Sequence, residues 1–173
     1  MSARIADYLN ALSADAVRAS LPQCCGAGRW VEEMARSRPF ASDAEVLETA
    51  ERAWWGVTPA DWREAFARHP RIGQAGDEGR RRAMKGDEAW ARQEQSGMAT
   101  AAAETRQALA EGNQAYERRF GHVFLICATG RSAEEMLAEL RRRLHHDPAR
   151  ELEVAAGEQT KITRLRLEKL VAP

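Results

Sequence analysis

The chain has 173 residues, 26 lysines and arginines against 26 aspartates and glutamates, and 44% apolar residues. That length suits one domain whose core needs no disulfide or metal to hold it, and the balanced charge gives no reason to expect nucleic acid, an anionic membrane or another polyanion as partner. The three cysteines, Cys24, Cys25 and Cys127, include an adjacent pair and no CxxC spacing, so neither a disulfide framework nor a zinc or redox site is expected and a reducing compartment is indicated. The N-terminal "MSARIADYLNALSADAVRAS" is amphipathic, no stretch approaches membrane-span length, and "KLVAP" is not a peroxisomal signal. The chain reads as a soluble cytoplasmic protein with residues 1–173 in a single domain.

Apolar residues at helical spacing open the sequence: Ile5, Tyr8, Leu9 and Leu12, then Trp30, Val31 and Met34, then Val46, Leu47, Ala50 and Trp54. In "TPADW", Thr58 suits an N-cap, Pro59 the first helical position and Asp61 the acid of a capping box, so a helix should run from Pro59 to about Arg68. "RIGQAGDEGRRRAMKGDE", residues 71 to 88, carries four glycines and many charges and reads as a long exposed loop, a kind of segment that often borders a site. One long helix is expected from Asp87 to Gly112. Within "RFGHVFLICATGRS" the apolar run "VFLICA" is too short for a helix and reads as a buried extended segment near 123–128, whose backbone groups must find partners outside a strand ladder. Ser132 and Glu135 form a second capping box, opening a helix with Met136, Leu137, Leu140 and Leu144 on one side. The last helix should begin near Pro148, with Ile162, Leu165 and Leu170 facing a core. The fold class is all-α, a single-domain bundle of about eight helices.

The residue that asks for an explanation is His69 in "FARHPRIG". Pro70 stops the helix immediately after it, so the backbone fixes the histidine's orientation. A structural role exists for such a residue, capping carbonyls at a helix C-terminus; a catalytic role needs partners. Glu94 and Gln95 could supply them, although adjacent helical positions diverge by about 100° and reach one site only along their shared edge. Arg164 and Arg166 diverge too, so at most one points deep into a pocket, and periodicity does not decide which. Cys24 and Cys25 lack a local base or electropositive setting and read as buried structural thiols. Trp54 continues an apolar stripe and reads, with Trp55, as packing rather than a stacking platform. The adjacent His145 and His146 point apart on a helix, and no histidine pair has ligand spacing.

Taken in order, "QCCGAGRWVEEMARSRPF", "DWREAFARHPRIG", "EQSG", "NQAYERRFGHVFLICATGRSAEEML" and "ITRLRLEKL" resemble the family of 2-oxo-4-hydroxy-4-carboxy-5-ureidoimidazoline (OHCU) decarboxylases of urate breakdown. The resemblance runs from about residue 5 to 171, and "HPRIG" is its most specific element. It implies an all-helical homodimer that converts OHCU to (S)-allantoin and carbon dioxide with no metal or organic cofactor. It further implies that His69 is the catalytic acid/base, with Glu94 and Arg166 as catalytic partners. Pro70, the segment Ala91, Arg92, Gln93, Glu94 and Gln95, and the backbone of Phe124, Leu125, Ile126, Cys127 and Ala128 would contact substrate, and Arg166 would meet its anionic end. Two positions depart from the family pattern. Ala91 stands where serine is common, removing one side-chain hydrogen bond, and alanine replaces a common serine in "CCGAG". The rival reading is a small helical nucleic-acid-binding module using "GRRRA" and "LRRRLHH". Zero net charge and acids interleaved through the other helices weigh against it.

Overall fold

The computed structural model describes residues 4–73 and 87–171. Among these residues there are nine α-helices and no strand: α1 Ile5–Ala11, α2 Ala14–Ser20, α3 Gly28–Arg36, α4 Asp43–Gly56, α5 Pro59–Phe66, α6 Asp87–Glu94, α7 Ala103–Phe120, α8 Ala133–Arg143 and α9 Pro148–Lys169. The all-α reading is borne out. Most of the expected glycine-rich loop, including "GRRRA", lies outside the described residues. No described helix is long and apolar enough to cross a membrane.

The chain divides into two compact units, one made of residues 1–65 and 160–173, the other of 66–159. In the first, most of the anticipated stripe residues supply the core: Ile5 and Leu9 from α1, Trp30, Val31 and Met34 from α3, and Val46, Ala50 and Trp54 from α4 are buried, whereas Tyr8 is exposed and Leu12 and Leu47 are only half-buried. The tryptophan ring N–H groups find partners: that of the buried Trp30 donates from Nε1 to the Ala50 carbonyl at 2.9 Å and that of the half-buried Trp62 to the Trp54 carbonyl at 3.1 Å. Asp61 accepts from both the Thr58 N–H and hydroxyl, at 2.8 and 2.6 Å, forming the expected cap of α5. Trp55, by contrast, is 46% exposed and stacks edge-on against Trp62.

The second unit is built on α7 and α8. Leu109, Tyr116 and Phe120 of α7 pack with Met136, Leu137 and Leu140 of α8 around Phe124, Ile126 and Ile72. Gly112 permits this approach, because a Cβ there would meet Leu140 Cδ2 at 2.6 Å. The capping box at Ser132 and Glu135 is present in full. The single helix expected over 87–112 is instead broken: α6 ends at Glu94, a short 3-10 turn covers Ser96–Met98, and α7 begins at Ala103. Gly97 is the physical reason, since its turn lies so close to the Arg131 carbonyl that a Cβ would come within 2.2 Å of the oxygen.

Residues 123–128 carry neither helix nor strand and are buried except Cys127. Side chains meet several of their backbone groups, and the Arg131 N–H donates to the Ala128 carbonyl at 3.0 Å. Arg143 Nη1 donates to the Leu125 carbonyl at 2.8 Å, and Glu158 accepts from the Cys127 N–H at 2.7 Å. Behind the segment, Arg143, Tyr116 and Glu151 are wholly buried. Arg143 Nε and the Tyr116 hydroxyl both donate to Glu151 Oε1, while His146 Nδ1 lies 2.8 Å from Oε2. Burial, chiefly, pushes the Tyr116 hydroxyl above its ordinary pKa.

Candidate active site

The loop "HPRIG" leaves α5 with its backbone committed. His69 N–H donates to the Phe66 carbonyl at 3.0 Å, which closes the helix, and Pro70 cannot extend it. Four contacts then fix the loop. His69 Nε2 lies 2.7 Å from Gln159 Oε1 of α9. Arg71 pairs with Glu117 of α7 through Nε at 2.5 Å and Nη2 at 3.0 Å. The Ile72 carbonyl accepts from Asn113 Nδ2 at 3.1 Å, and the Gly73 N–H donates to Gln95 Oε1 at 3.0 Å. Gly73 has a φ of +83°, a conformation that glycine adopts without a steric cost. The histidine, 9% exposed, is therefore held in a loop pinned from three elements.

Around it the candidate residues sort by burial. Glu94 and Gln95 are both buried, at 8%, as is Ala91, whereas Arg92 and Gln93 are exposed. The two inward residues are adjacent, but the helix ends between them: Gln95 sits at φ −94° and ψ 25°. Of the two, Gln95 reaches the His69 loop, accepting from the Gly73 N–H. Pro70, Phe124, Leu125, Ile126 and Ala128 are buried and Cys127 is half-buried. Since Glu158 already accepts from the Cys127 N–H, fewer of this segment's donors remain for a ligand than the sequence alone suggests.

Arg166 belongs to the other unit. It is 4% exposed and donates from Nη1 to the Gln23 carbonyl at 3.0 Å. Arg164 has a side chain 62% exposed beside Glu168, 3.5 Å away. Burial thus separates the two arginines where periodicity left them equal. The expected stripe on α9 needs correction: Ile162 is buried, but its companions are Thr163, Arg166 and Leu167, and Leu165 and Leu170 are only half-buried. Cys24 and Cys25 are buried and outside any disulfide, in line with a structural role.

Among the residues that escaped the sequence reading are Glu158 and Gln159, which contact the candidate residues Cys127 and His69 directly. Their signal was a polar pair within the small-residue run "AAGEQT" of α9, where Ala155 and Ala156 are wholly buried. Among the described residues no group of three or more His, Cys, Asp or Glu is placed to hold a metal ion. The large groove in the first unit, about 660 Å³ between α3 and α4, is lined by Arg29, Glu32, Arg36, Thr49, Arg52 and neighbours, none of them a candidate residue. Its open, mixed-charge lining offers no acid/base group set apart by burial, and the chemistry favours the His69 loop.

These features define a helical protein with a buried, backbone-pinned histidine in contact with a buried amide side chain, an arrangement suited to general acid/base chemistry. A family model described as OHCU decarboxylase matches residues 10–168, and the chain belongs to that family. It is 33% identical over 135 residues to 2-oxo-4-hydroxy-4-carboxy-5-ureidoimidazoline decarboxylase of Amia calva, covering 78% of this chain and 75% of that one. It is 39% identical over 153 residues to the uric acid degradation bifunctional protein TTL of Arabidopsis thaliana. That match covers 85% of this chain but spans only 45% of the plant protein's length. Among solved structures, an OHCU decarboxylase crystallised in the presence of (S)-allantoin superposes with a TM-score of 0.75 at 37% identity, covering 88% of this chain and 96% of that one. An (S)-allantoin synthase structure shares the fold at a TM-score of 0.69 and 16% identity, covering 96% of this chain and 54% of that one.

Proposed function

We propose that this chain is a cofactor-independent carboxy-lyase that converts OHCU to (S)-allantoin and carbon dioxide. The observation that supports the reading most is the family match over residues 10–168, which contains His69 in its pinned loop. As carbon dioxide leaves C4, the bonding electron pair passes into the adjacent C5=N bond of the ring, whose nitrogen takes up a proton, and an enol of C4 and C5 results, so no pyridoxal or thiamine sink is needed. The 4-hydroxyl then gives up its proton as its carbon becomes a carbonyl, and one proton delivered to one face of C5, the carbon that carries the ureido group, completes (S)-allantoin. The protein's tasks are to hold the carboxylate out of the plane of the C5=N bond, to set donors where charge develops on the ring nitrogen and the 4-oxygen, and to manage the proton that moves from the 4-hydroxyl to C5.

In this reading His69 manages the proton, either at the 4-hydroxyl or at C5, since imidazole is matched to that work near neutral pH. Glu94 and Gln95, with Ala91, Arg92, Gln93 and Pro70, position the ureidoimidazoline, and the backbone of Phe124 to Ala128 supplies planar hydrogen-bonding groups to it. Arg166 grips the carboxylate, a task for which a planar guanidinium is suited. The protein works as a homodimer in the cytoplasm, a proposal that rests on the family resemblance. The nucleic-acid reading loses support in the described arginine cluster, because Arg143 is wholly buried and Arg142 is paired with Glu139 at 2.6 Å.

The test is to supply freshly generated OHCU and follow product by circular dichroism. Uncatalysed decay gives racemic allantoin, so rapid appearance of optically pure (S)-allantoin, undiminished by chelator, is the expected result. Racemic product formed at the uncatalysed rate would overturn the proposal.

A further inference from the structure

A neutral imidazole carries its hydrogen on one nitrogen and a lone pair on the other, and the partner of one nitrogen decides the role of both. The partner seen here is an amide oxygen: Gln159 Oε1, 2.7 Å from His69 Nε2. A carbonyl oxygen only accepts, so the bond requires the hydrogen on Nε2. We propose that Gln159 is a positioning residue for His69, fixing the ring with its hydrogen on Nε2 so that Nδ1 is the nitrogen that takes up and returns the proton of the reaction. The inference rests on the proposed role of His69 in the decarboxylation.

The surroundings suit this task. Gln159 is wholly buried, so water does not compete for its oxygen, and it stands in the interior of the 22-residue helix α9. The preceding residue, Glu158, accepts from the Cys127 N–H. Adjacent helical side chains diverge by about 100°, so one turn of α9 ties down both the histidine and the segment 123–128. An amide also holds the ring without adding charge, whereas a carboxylate in its place would favour the imidazolium. When Nδ1 accepts a proton the Nε2–H stays on Gln159 Oε1, and the oxygen stabilises the cation. When Nδ1 gives the proton up, the ring returns to the same tautomer, and no proton is gained or lost over the cycle.

The experiment reads the ring nitrogens by NMR of histidine-labelled protein without substrate, at a pH where the ring is neutral. The His69 signals are assigned by their loss in His69→Asn. The wild type should show a pyrrole-like Nε2 and a pyridine-like Nδ1. Gln159→Leu should lose that preference and lower kcat about ten- to a hundredfold, as removal of a histidine's orienting partner does elsewhere, with KM nearly unchanged because Gln159 acts through His69. Gln159→Glu, which keeps an acceptor at the same reach, should restore the Nε2–H tautomer. A wild-type ring with its hydrogen on Nδ1 overturns the inference even if Gln159→Leu fails to fold, and so does a folded Gln159→Leu that keeps both the tautomer and wild-type kcat. Because the tautomer is read without substrate, failure of the wild type to turn over OHCU would remove the proposed reaction and leave the ring assignment standing.

Discussion

Replacing Glu151 with alanine isolates the energetics of the buried network behind the segment 123–128. Glu151 is 0% exposed and Arg143 is 0% exposed. The carboxylate accepts from Arg143 Nε at 2.7 Å and from the Tyr116 hydroxyl, and it faces His146 Nδ1 at 2.8 Å. Glu151→Ala leaves Arg143 charged and buried with only neutral acceptors in the network, the Leu125 carbonyl at 2.8 Å and the Tyr116 hydroxyl at 3.4 Å, and the rings of Phe124 and Tyr116 4.7 and 5.9 Å from its guanidinium carbon. Removing one partner of a buried ion pair costs about 3–5 kcal/mol. At about 2–4 °C per kcal/mol for a domain of this size, Tm should fall by roughly 6–20 °C. The assay is thermal and urea denaturation followed by far-ultraviolet circular dichroism, with the urea midpoint expected to move at constant slope. The double variant Glu151→Leu with Arg143→Met should recover much of the loss, because it removes the stranded charge as well as the bonds. A loss below about 1 kcal/mol for Glu151→Ala, the level of an exposed pair, would refute the reasoning.

Arg166→Lys should raise KM for OHCU and lower kcat, since an ammonium cannot reproduce a planar two-point grip, and Arg164→Lys should be nearly silent. Steady-state kinetics of both would check this, and the reverse ranking would assign the carboxylate to Arg164. The Thr58 hydroxyl, and then its N–H, hold the Asp61 carboxyl below its ordinary pKa. A depressed folded value means a contribution to stability that is present above the unfolded pKa and lost as pH falls through the folded one. Asp61→Asn should therefore be less stable than wild type near neutrality, with the gap narrowing in acid. Urea titrations across that range check it, and a gap that widens in acid would contradict it.

Where local rules governed, the fold was legible in the sequence. Ser132 with Glu135, Thr58 with Asp61, and the stripes through Trp30 and Trp54 each specify a helix from residues within one or two turns. The break after Glu94 was not legible, because it depends on the carbonyl of Arg131 lying against Gly97, a contact between residues distant in sequence. The same holds for Gln159, whose partner His69 is 90 positions away. On α9 the apolar residues alone misled. Continuing the spacing from the buried Ala155 and Ala156 leads through Gln159, Ile162 and Thr163 to Arg166 and Leu167, all buried. That face carries polar groups because it serves a polar interior, and reading it without regard to hydrophobicity separates Arg166 from Arg164.

The central claim is that His69 manages the proton in forming (S)-allantoin. It is tested most directly by the initial rate at which optically pure (S)-allantoin appears from fresh OHCU with His69→Asn beside the wild type, at equal helical signal. General acid/base groups contribute about a hundredfold to ten-thousandfold, and a fall of that order is predicted, whereas a variant retaining more than half of the wild-type rate would remove His69 from the mechanism.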